Sequence, residues 1–598
     1  MTGMSPLPEE WMEYALSFVP SSHMVFPSNF GTPKNIPHND QSDKNAHKYL
    51  ESLNLDKVEL VYVYGLDLSY YHCLKPWLAE SENRCLVFIE DDFGAVLGSL
   101  AVEQSAKLLT DPQVYLSFWI PEENNTLLFY EISWFFSGLS CLVIATNDYQ
   151  EKKSSLFAEL QKTIHYHTAN INKLYGQTLD FYDHFSWNSY SNFLQIGKMY
   201  EGKSLFHKFR NVPAIICGAG PSLNNSLPTL KKLTDKALIF AGGSAITATS
   251  IGGVNPHFSV TSDSTPLLEK HIENHVAFES PLFLRNCSYC DVIDFYHGPR
   301  LYITGSDKLP ILDWFEAEAN LSSQNDLKIG TSVSTFSLHL AAKLGCNPII
   351  FVGMDLAYTD SQRFLSVVNV ISTDNENQNA SIAIPTKDIY QKPTTTNPAW
   401  LTESAWISHF ASSNPHVRFI NATEGGIGFK GISNATLKET TEKSLQRSFP
   451  LRSRIHAEIE QAKLSRISPQ NLNDLFEKMK NSLDTSSDIL NKMLDNISSA
   501  VENHFHEKSG EFSQKAMDFS LLEEMLFKEP AFQYILSPLL DYFDKTTARL
   551  EHKIERQHRI KPNKDIEIEH LKATINHLIY LQEAAEYNSE MINDCLEN

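Results

Sequence analysis

Several short stretches set small, hydroxylated and acidic residues directly after apolar runs. They are Gly218-Ala219-Gly220-Pro221-Ser222, Gly243-Ser244, Ser262-Asp263, Thr331-Ser332 and Gly353-Met354-Asp355-Leu356-Ala357-Tyr358. Glycine turns that open a helix present backbone N–H groups to a phosphate or another anion. Ser and Thr hydroxyls add donors, and a carboxylate, phenol or imidazole can move a proton. Asp263, Tyr358, His297 and His409 are the candidates for proton transfer. Each residue also has a structural role open to it: Thr331 or Ser332 can cap a helix, and Asp355 can satisfy turn amides.

The elements that must hold these residues follow from the apolar pattern. Val212–Cys217 is an apolar run of buried-strand type, and Leu223–Leu233 follows as a helix. Further strands are expected at 237–240, 258–261, 281–284, 301–304, 348–352 and 417–421. Helices are expected from the Gly330-Thr331-Ser332-Val333-Ser334 start through Leu344, ended by Gly345, and over 405–410. Polar residues thus gather at the C-terminal ends of successive strands, the ligand-binding edge of open α/β sheets. Upstream, strands at 58–64, 84–89 and 114–119 alternate with helices at 69–78 and 93–109, which predicts βαβ units and a parallel sheet. Glu90 ends the second strand, where Rossmann-type folds hold a ribose. The first turn, Gly65-Leu-Asp-Leu-Ser69, lacks repeated glycines, so a Rossmann-like domain without a bound dinucleotide is expected. Two more helices, 154–174 and 181–200, lead onward.

Residues 1–53 form a polar lead-in with one helix near 9–18. Residues 372–400 look like a polar loop or lid. From 441 onward the pattern is helical: Ser468-Pro469 is an N-cap with Pro at N1, and Leu472, Leu475, Met479, Leu483 and Leu490 keep one apolar face. The division expected is an N-terminal Rossmann-like domain over 1–200, a central mostly parallel α/β domain over 201–440 and a C-terminal helical bundle over 441–598. The bundle suits a structural cap, a homo-oligomer contact or a surface for a protein partner.

Bulk properties narrow the function classes. The chain has 598 residues and a net charge of −22, which disfavours nucleic acid as a partner. The N-terminus has no signal-peptide core and no run is long enough to span a bilayer, so a cytoplasmic protein is expected. Eight cysteines are sparse. Cys287-Ser-Tyr-Cys290 lacks the second pair that zinc needs, and no metal site is expected from it. Asn421-Ala-Thr423 and Asn434-Ala-Thr436 match a glycosylation pattern by chance.

Taken together, Cys217–Leu223, Ser262-Asp263, Gly330–Val333, Pro348–Tyr358 and Asn421–Gly426 resemble the motility-associated factor (Maf) family of flagellin glycosyltransferases. The central domain is similar to bacterial sialyltransferases that use CMP-sialic acid and to the archaeal 6-hydroxymethylpterin pyrophosphokinases. The resemblance implies that Gly218, Ala219, Gly220, Pro221 and Ser222 wrap a nucleotide, and that Gly243 and Ser244 form a second turn. Ala219 and Gly243 stand where the sialyltransferases usually carry Asn. It further implies that Ser262 and Asp263 face the donor, and that Thr331 and Ser332 bind its carboxylate or phosphate. Gly353 and Asp355 would line a cytidine site, with Tyr358 near the leaving phosphate.

The implied activity is inverting transfer of a nonulosonic acid, pseudaminic or legionaminic, from a CMP-activated donor to Ser or Thr of flagellin. No cofactor is required, and dependence on a divalent metal is left open. Asp263, Tyr358 and His409 are the catalytic candidates. One alternative is an ATP-dependent pyrophosphokinase with a Mg²⁺ site drawing on Asp263 and Asp355. Another is a non-catalytic flagellar chaperone or adaptor.

Overall fold

The computed structural model describes residues 40–100, 107–121, 126–265, 279–305, 309–321, 327, 332–359, 384–504, 509–560 and 566–597. The chain packs as two units. One comprises residues up to Phe181 with Leu494–Phe512 and Leu539–Ile579; the other comprises Tyr182–Met493, Ser513–Pro538 and Tyr580–Asn598. The helical stretch expected as a separate third domain is thus shared out between two units. The expected helix near 9–18 lies outside the described residues. Within the polar lead-in, Asp40–Glu51 is a helix, because Ala46 and Leu50 have a core to join.

The first unit is built on four parallel strands: β1 Leu60–Tyr64, β2 Cys85–Glu90, β3 Val114–Phe118 and β4 Cys141–Ala145. Their order is β3-β2-β1-β4. Both faces are covered, as near-continuous apolar strands require. Val61 and Val63 meet Leu74 and Trp77 on one face; Leu60, Tyr62 and Tyr64 meet Phe129, Phe136 and Ile164 on the other. This is the expected Rossmann-like layer. β4 was not expected from sequence: it is a five-residue run that only pairing with β1 distinguishes from a buried helix segment. Helices expected at 154–174 and 181–200 are one helix, Ser154–Leu194, since no Pro interrupts the stretch and a single Gly176 is tolerated.

Glu90 is fully buried in this unit. Its carboxylate accepts from the N–H groups of Leu66 (2.8 Å), Asp91 (3.0 Å) and Asp92 (2.9 Å) and from the Tyr149 hydroxyl. The acid at the ribose position therefore serves its own chain. Burial pushes its pKa up to about 7 despite these bonds.

The second unit holds a nine-stranded, all-parallel sheet. Its strands are β5 Tyr200–Glu201, β6 Ala214–Cys217, β7 Leu238–Gly242, β8 Phe258–Thr261, β9 Leu282–Arg285, β10 Arg300–Ile303, β11 Ile349–Val352, β14 Phe419–Asn421 and β15 Ser433–Asn434. The order is β15-β14-β11-β6-β7-β8-β9-β10-β5. From β6 the chain steps one way through β10, then returns to place β11 on the other side of β6. The β6–β11 boundary is thus a topological switch point, where the turns leaving the two strands diverge and open a crevice. The helix Val333–Lys343 packs on β6, β7 and β8, closing a core of Ile216, Phe240, Phe258, Phe336 and Leu340.

Residues 384–396, expected as loop, form an antiparallel hairpin, β12 Ile384–Lys387 with β13 Pro393–Thr396. Its β-branched Ile and Thr residues suit strands. Asp388 fixes the turn by accepting from the N–H groups of Tyr390 and Lys392, both at 2.8 Å. The helix expected over 405–410 runs from Pro398 to Ser413. C-terminal helices span Pro469–His504, Ser509–Lys528, Ser537–Ile560 and Ile566–Glu597. In the second unit, Phe476 stacks on Phe315 with ring centroids 4.3 Å apart.

Candidate functional site

The glycine turn after β6 lies at the switch point. Gly218 N–H donates to the Val352 carbonyl (2.8 Å), and Gly220 N–H to that of Gly353 (2.9 Å). A Cβ on Gly220 would stand 2.1 Å from Asp355 Oδ2. The room that glycine leaves is therefore taken by the turn after β11, which presses backbone to backbone against the turn after β6. Gly353 itself adopts φ +65°, a left-handed conformation that glycine reaches without cost. Ala219 and Pro221 are half-buried between these contacts.

Ser222 leads into the helix Leu223–Leu230, yet its side chain does not cap that helix. Its hydroxyl donates to Asp355 Oδ2 at 2.6 Å, and Thr359 Oγ1 donates to Asp355 Oδ1 at 2.8 Å. Asp355 is only 2 % exposed. Burial raises its pKa, while the Ser222 and Thr359 bonds pull the other way. Asp355 thus ties two strand-end turns together. Thr359 was missed in the sequence, where nothing pairs it with an acid four residues earlier. The loop after β14 closes in as well: Ile427 N–H donates to the Asp355 carbonyl (3.0 Å), and Met354 N–H to Thr423 Oγ1 (3.1 Å). Asn421, one of the glycosylation-pattern residues, is fully buried and bonds Asn434 at 2.8 Å.

The next strand ends continue the edge. Gly243 after β7 has φ +52°, and a Cβ there would meet nothing within 4 Å. It faces open space just ahead of Ser244 and the helix Ser244–Ile251. Ser262 and Asp263 follow β8, both half-buried. Asp263 Oδ1 accepts from Thr265 N–H (3.0 Å) and Thr265 Oγ1 (2.8 Å). β8 stands three strand spacings, roughly 14 Å, from β11. At β10, Glu316 accepts from Gly305 N–H (2.9 Å) and Tyr302 Oη (2.6 Å), and Arg285 Nη2 donates to the Gly305 carbonyl (2.7 Å). Burial pushes Glu316 up to about 7. These anchors were not singled out in the sequence; an acid within an apolar helix was the only signal.

Ser332 caps the helix Val333–Lys343 in a reciprocal box with Thr335, and its hydroxyl also donates to Glu403 at 2.6 Å. Thr331 lies outside the described residues. Tyr358 packs its ring on Trp400, centroids 4.9 Å apart, and its N–H donates to the Thr395 carbonyl (2.8 Å). The start of the helix Pro398–Ser413 and the β12–β13 hairpin therefore adjoin the β11 turn. His409 is exposed, about 13 Å along that helix from Trp400, and is not brought to the cluster. His297 is exposed after the helix Cys290–Phe295. Cys287 and Cys290 are not joined in a disulfide, and burial pushes Cys290 up to about 12. Among the described residues, no three His, Cys, Asp or Glu side chains are gathered as a metal's ligands would be.

Glycine turns, helix N-termini and hydroxyls at the switch point of a parallel sheet define a doubly wound α/β protein suited to bind an anionic ligand at its strand ends. Comparison with known proteins gives that class a particular shape. The solved structure of the Maf glycosyltransferase from Magnetospirillum magneticum AMB-1 is similar over 98 % of this chain and 89 % of its own, with a TM-score of 0.51 and 13 % identity. At that identity the likeness is one of fold, and it meets the expected Maf-like architecture over nearly the whole length. A family model described as 6-hydroxymethylpterin diphosphokinase MptE-like matches residues 188–361, the stretch that carries most of the strand-end turns. No curated protein matches the chain.

Proposed function

We propose that this chain is a glycosyltransferase that moves a nonulosonic acid from a CMP-sugar to Ser or Thr of flagellin in the cytoplasm. The observation that carries the reading is the Maf glycosyltransferase fold, shared across 98 % of the chain. The strand-end turns suit the chemistry. The acceptor hydroxyl attacks the anomeric carbon, the bond to the CMP phosphate breaks, and the acceptor proton passes to a base. Of the two strand-end acids, Asp355 is buried and engaged by Ser222 and Thr359. Asp263 is half-buried and is the base we favour over the distant His409. N–H groups at the starts of the helices Ser244–Ile251 and Val333–Lys343, with the Tyr358 hydroxyl, receive the charge on the departing phosphate, while the Ser332 hydroxyl is engaged by Glu403.

Incubation of the purified protein with flagellin and CMP-pseudaminic or CMP-legionaminic acid, followed by intact mass spectrometry, tests this. One or more nonulosonate increments are expected, and no added mass with either donor overturns it. Flagellin binding without added mass would favour an adaptor.

The MptE-like match supports a second reading, transfer of diphosphate from ATP to a pterin alcohol. AMP release on mixing ATP, Mg²⁺ and 6-hydroxymethylpterin would reveal it.

A further inference from the structure

The first unit contains a cavity at the edge of its sheet opposite the strand ends. It lies where β2 and β3 begin, against the helix Ser537–Ile560, and measures about 240 Å³. That helix places Arg549, Lys553 and Arg556 at i, i+4 and i+7 spacing, hence on one face. Arg556 is buried and spent on the chain: it donates to the Val114 carbonyl at 2.6 Å and to that of Leu109. The other two line the cavity and are placed differently. Among the described residues, Arg549 Nη1 is shielded from solvent and has no hydrogen-bond partner. Lys553 lies 3.5 Å from the Glu82 carboxylate, which is 92 % exposed.

A guanidinium donor withdrawn from water without an acceptor costs about 1–3 kcal/mol, and buried charges are ordinarily paired. In a chain of net charge −22, Glu82 is the single acid lining this cavity. Both cations lie near Cys85 and pull its thiol pKa down, though burial outweighs them and holds it at about 11. The other lining residues include Tyr115, the 59 % exposed Leu550, Asn83, and Gln113, whose amide nitrogen donates to the Leu78, Ser81 and Arg84 carbonyls. These surfaces would meet a short carbon skeleton and its polar substituents.

We propose that this cavity binds a small organic oxyanion, a carboxylate or phosphate held by the Arg549 guanidinium and the Lys553 ammonium. A planar guanidinium grips either group through paired N–H bonds, and the lysine adds a point charge. The size is below that of pockets for drug-sized ligands, which restricts the occupant to a small molecule. The proposal is independent of the transfer reaction.

Isothermal titration calorimetry on the full-length protein tests it. Citrate is the carboxylate probe and inorganic phosphate the phosphate probe, with sodium chloride at matched ionic strength as reference. Saturable binding of at least one probe is expected, weakened at least tenfold by Arg549→Gln and by Lys553→Gln. The probe that binds identifies the group. Far-UV circular dichroism verifies folding. Lys553, with a side chain 26 % exposed, supplies the variant if Arg549→Gln does not fold. No saturable binding of either probe, or binding unchanged in the folded variants, overturns the proposal.

Discussion

Asp263 and Asp355 both end strands of one sheet, and their surroundings set them to different work. On the proposed function, replacing Asp263 by Asn is expected to slow flagellin modification about 10²–10⁴-fold, the range for loss of a general base. The thermal midpoint should stay close to that of the parent. Undiminished transfer in the mass assay would remove Asp263 from the mechanism. Asp355→Ala leaves the Ser222 and Thr359 donors inside the turn without their acceptor. It is expected to lower unfolding free energy by about 1–3 kcal/mol in urea titrations. Glu316 gives a test in pH. Its folded pKa, about 7, lies above the ordinary 4.5. Its contribution is therefore fully present below about 4.5 and is lost as pH rises through about 7. Glu316→Gln should gain on the parent chain between pH 5 and pH 8, by up to about 3 kcal/mol; a difference independent of pH would contradict this. At this scale the sequence revealed which residue types end the strands. It did not reveal their partners, because Ser222 meets Asp355 from 133 positions away and only the sheet order brings them together.

At the scale of elements, the turns after β6 and β11 form one interlocked unit. A Cβ on Gly353 would lie 2.5 Å from the Gly218 carbonyl oxygen, at a φ that side chains rarely adopt. Gly353→Ala is expected to destabilise the second unit by about 1–3 kcal/mol and to reduce donor binding, measurable as a raised KM for the CMP-sugar. An unchanged melting curve and unchanged KM would show that the interlock is dispensable. Ser332→Ala removes a helix cap worth about 1 kcal/mol and one donor to Glu403. Most of the second unit's strands were legible, since β6, β7, β8 and β11 are apolar runs closed by Gly or Ser and β9, β10 and β14 are short apolar runs between polar stretches. The order was not: β11 beside β6 follows from the crossover, which periodicity does not encode. The β12–β13 hairpin was taken for loop because its strands carry Thr and Pro with few large apolar residues, and half-exposed pairing leaves a weak signal.

At the scale of the molecule, the two units are discontinuous in sequence. The first needs residues 539–579, and the second needs residues 580–598. The helical region after 441 was legible from its apolar face; its division was not, since an amphipathic pattern does not say which core it joins. A fragment ending at residue 440 loses Arg556 from the first unit and Phe476 from the second. It is expected to lack the cooperative thermal transition of the full chain in circular dichroism, and a fragment melting at the parent's midpoint would refute this.

The bond from Arg556 to the Val114 carbonyl closes a gap of 442 residues. On a ribosome adding about 5–20 residues per second, that partner arrives on the order of 20–90 s after the strand it covers. Throughout that interval the nascent β3 edge waits uncovered, open to chaperones and proteases. The yield of intact protein in a cell should therefore depend on translation speed and chaperone supply more steeply than the finished chain's stability would suggest.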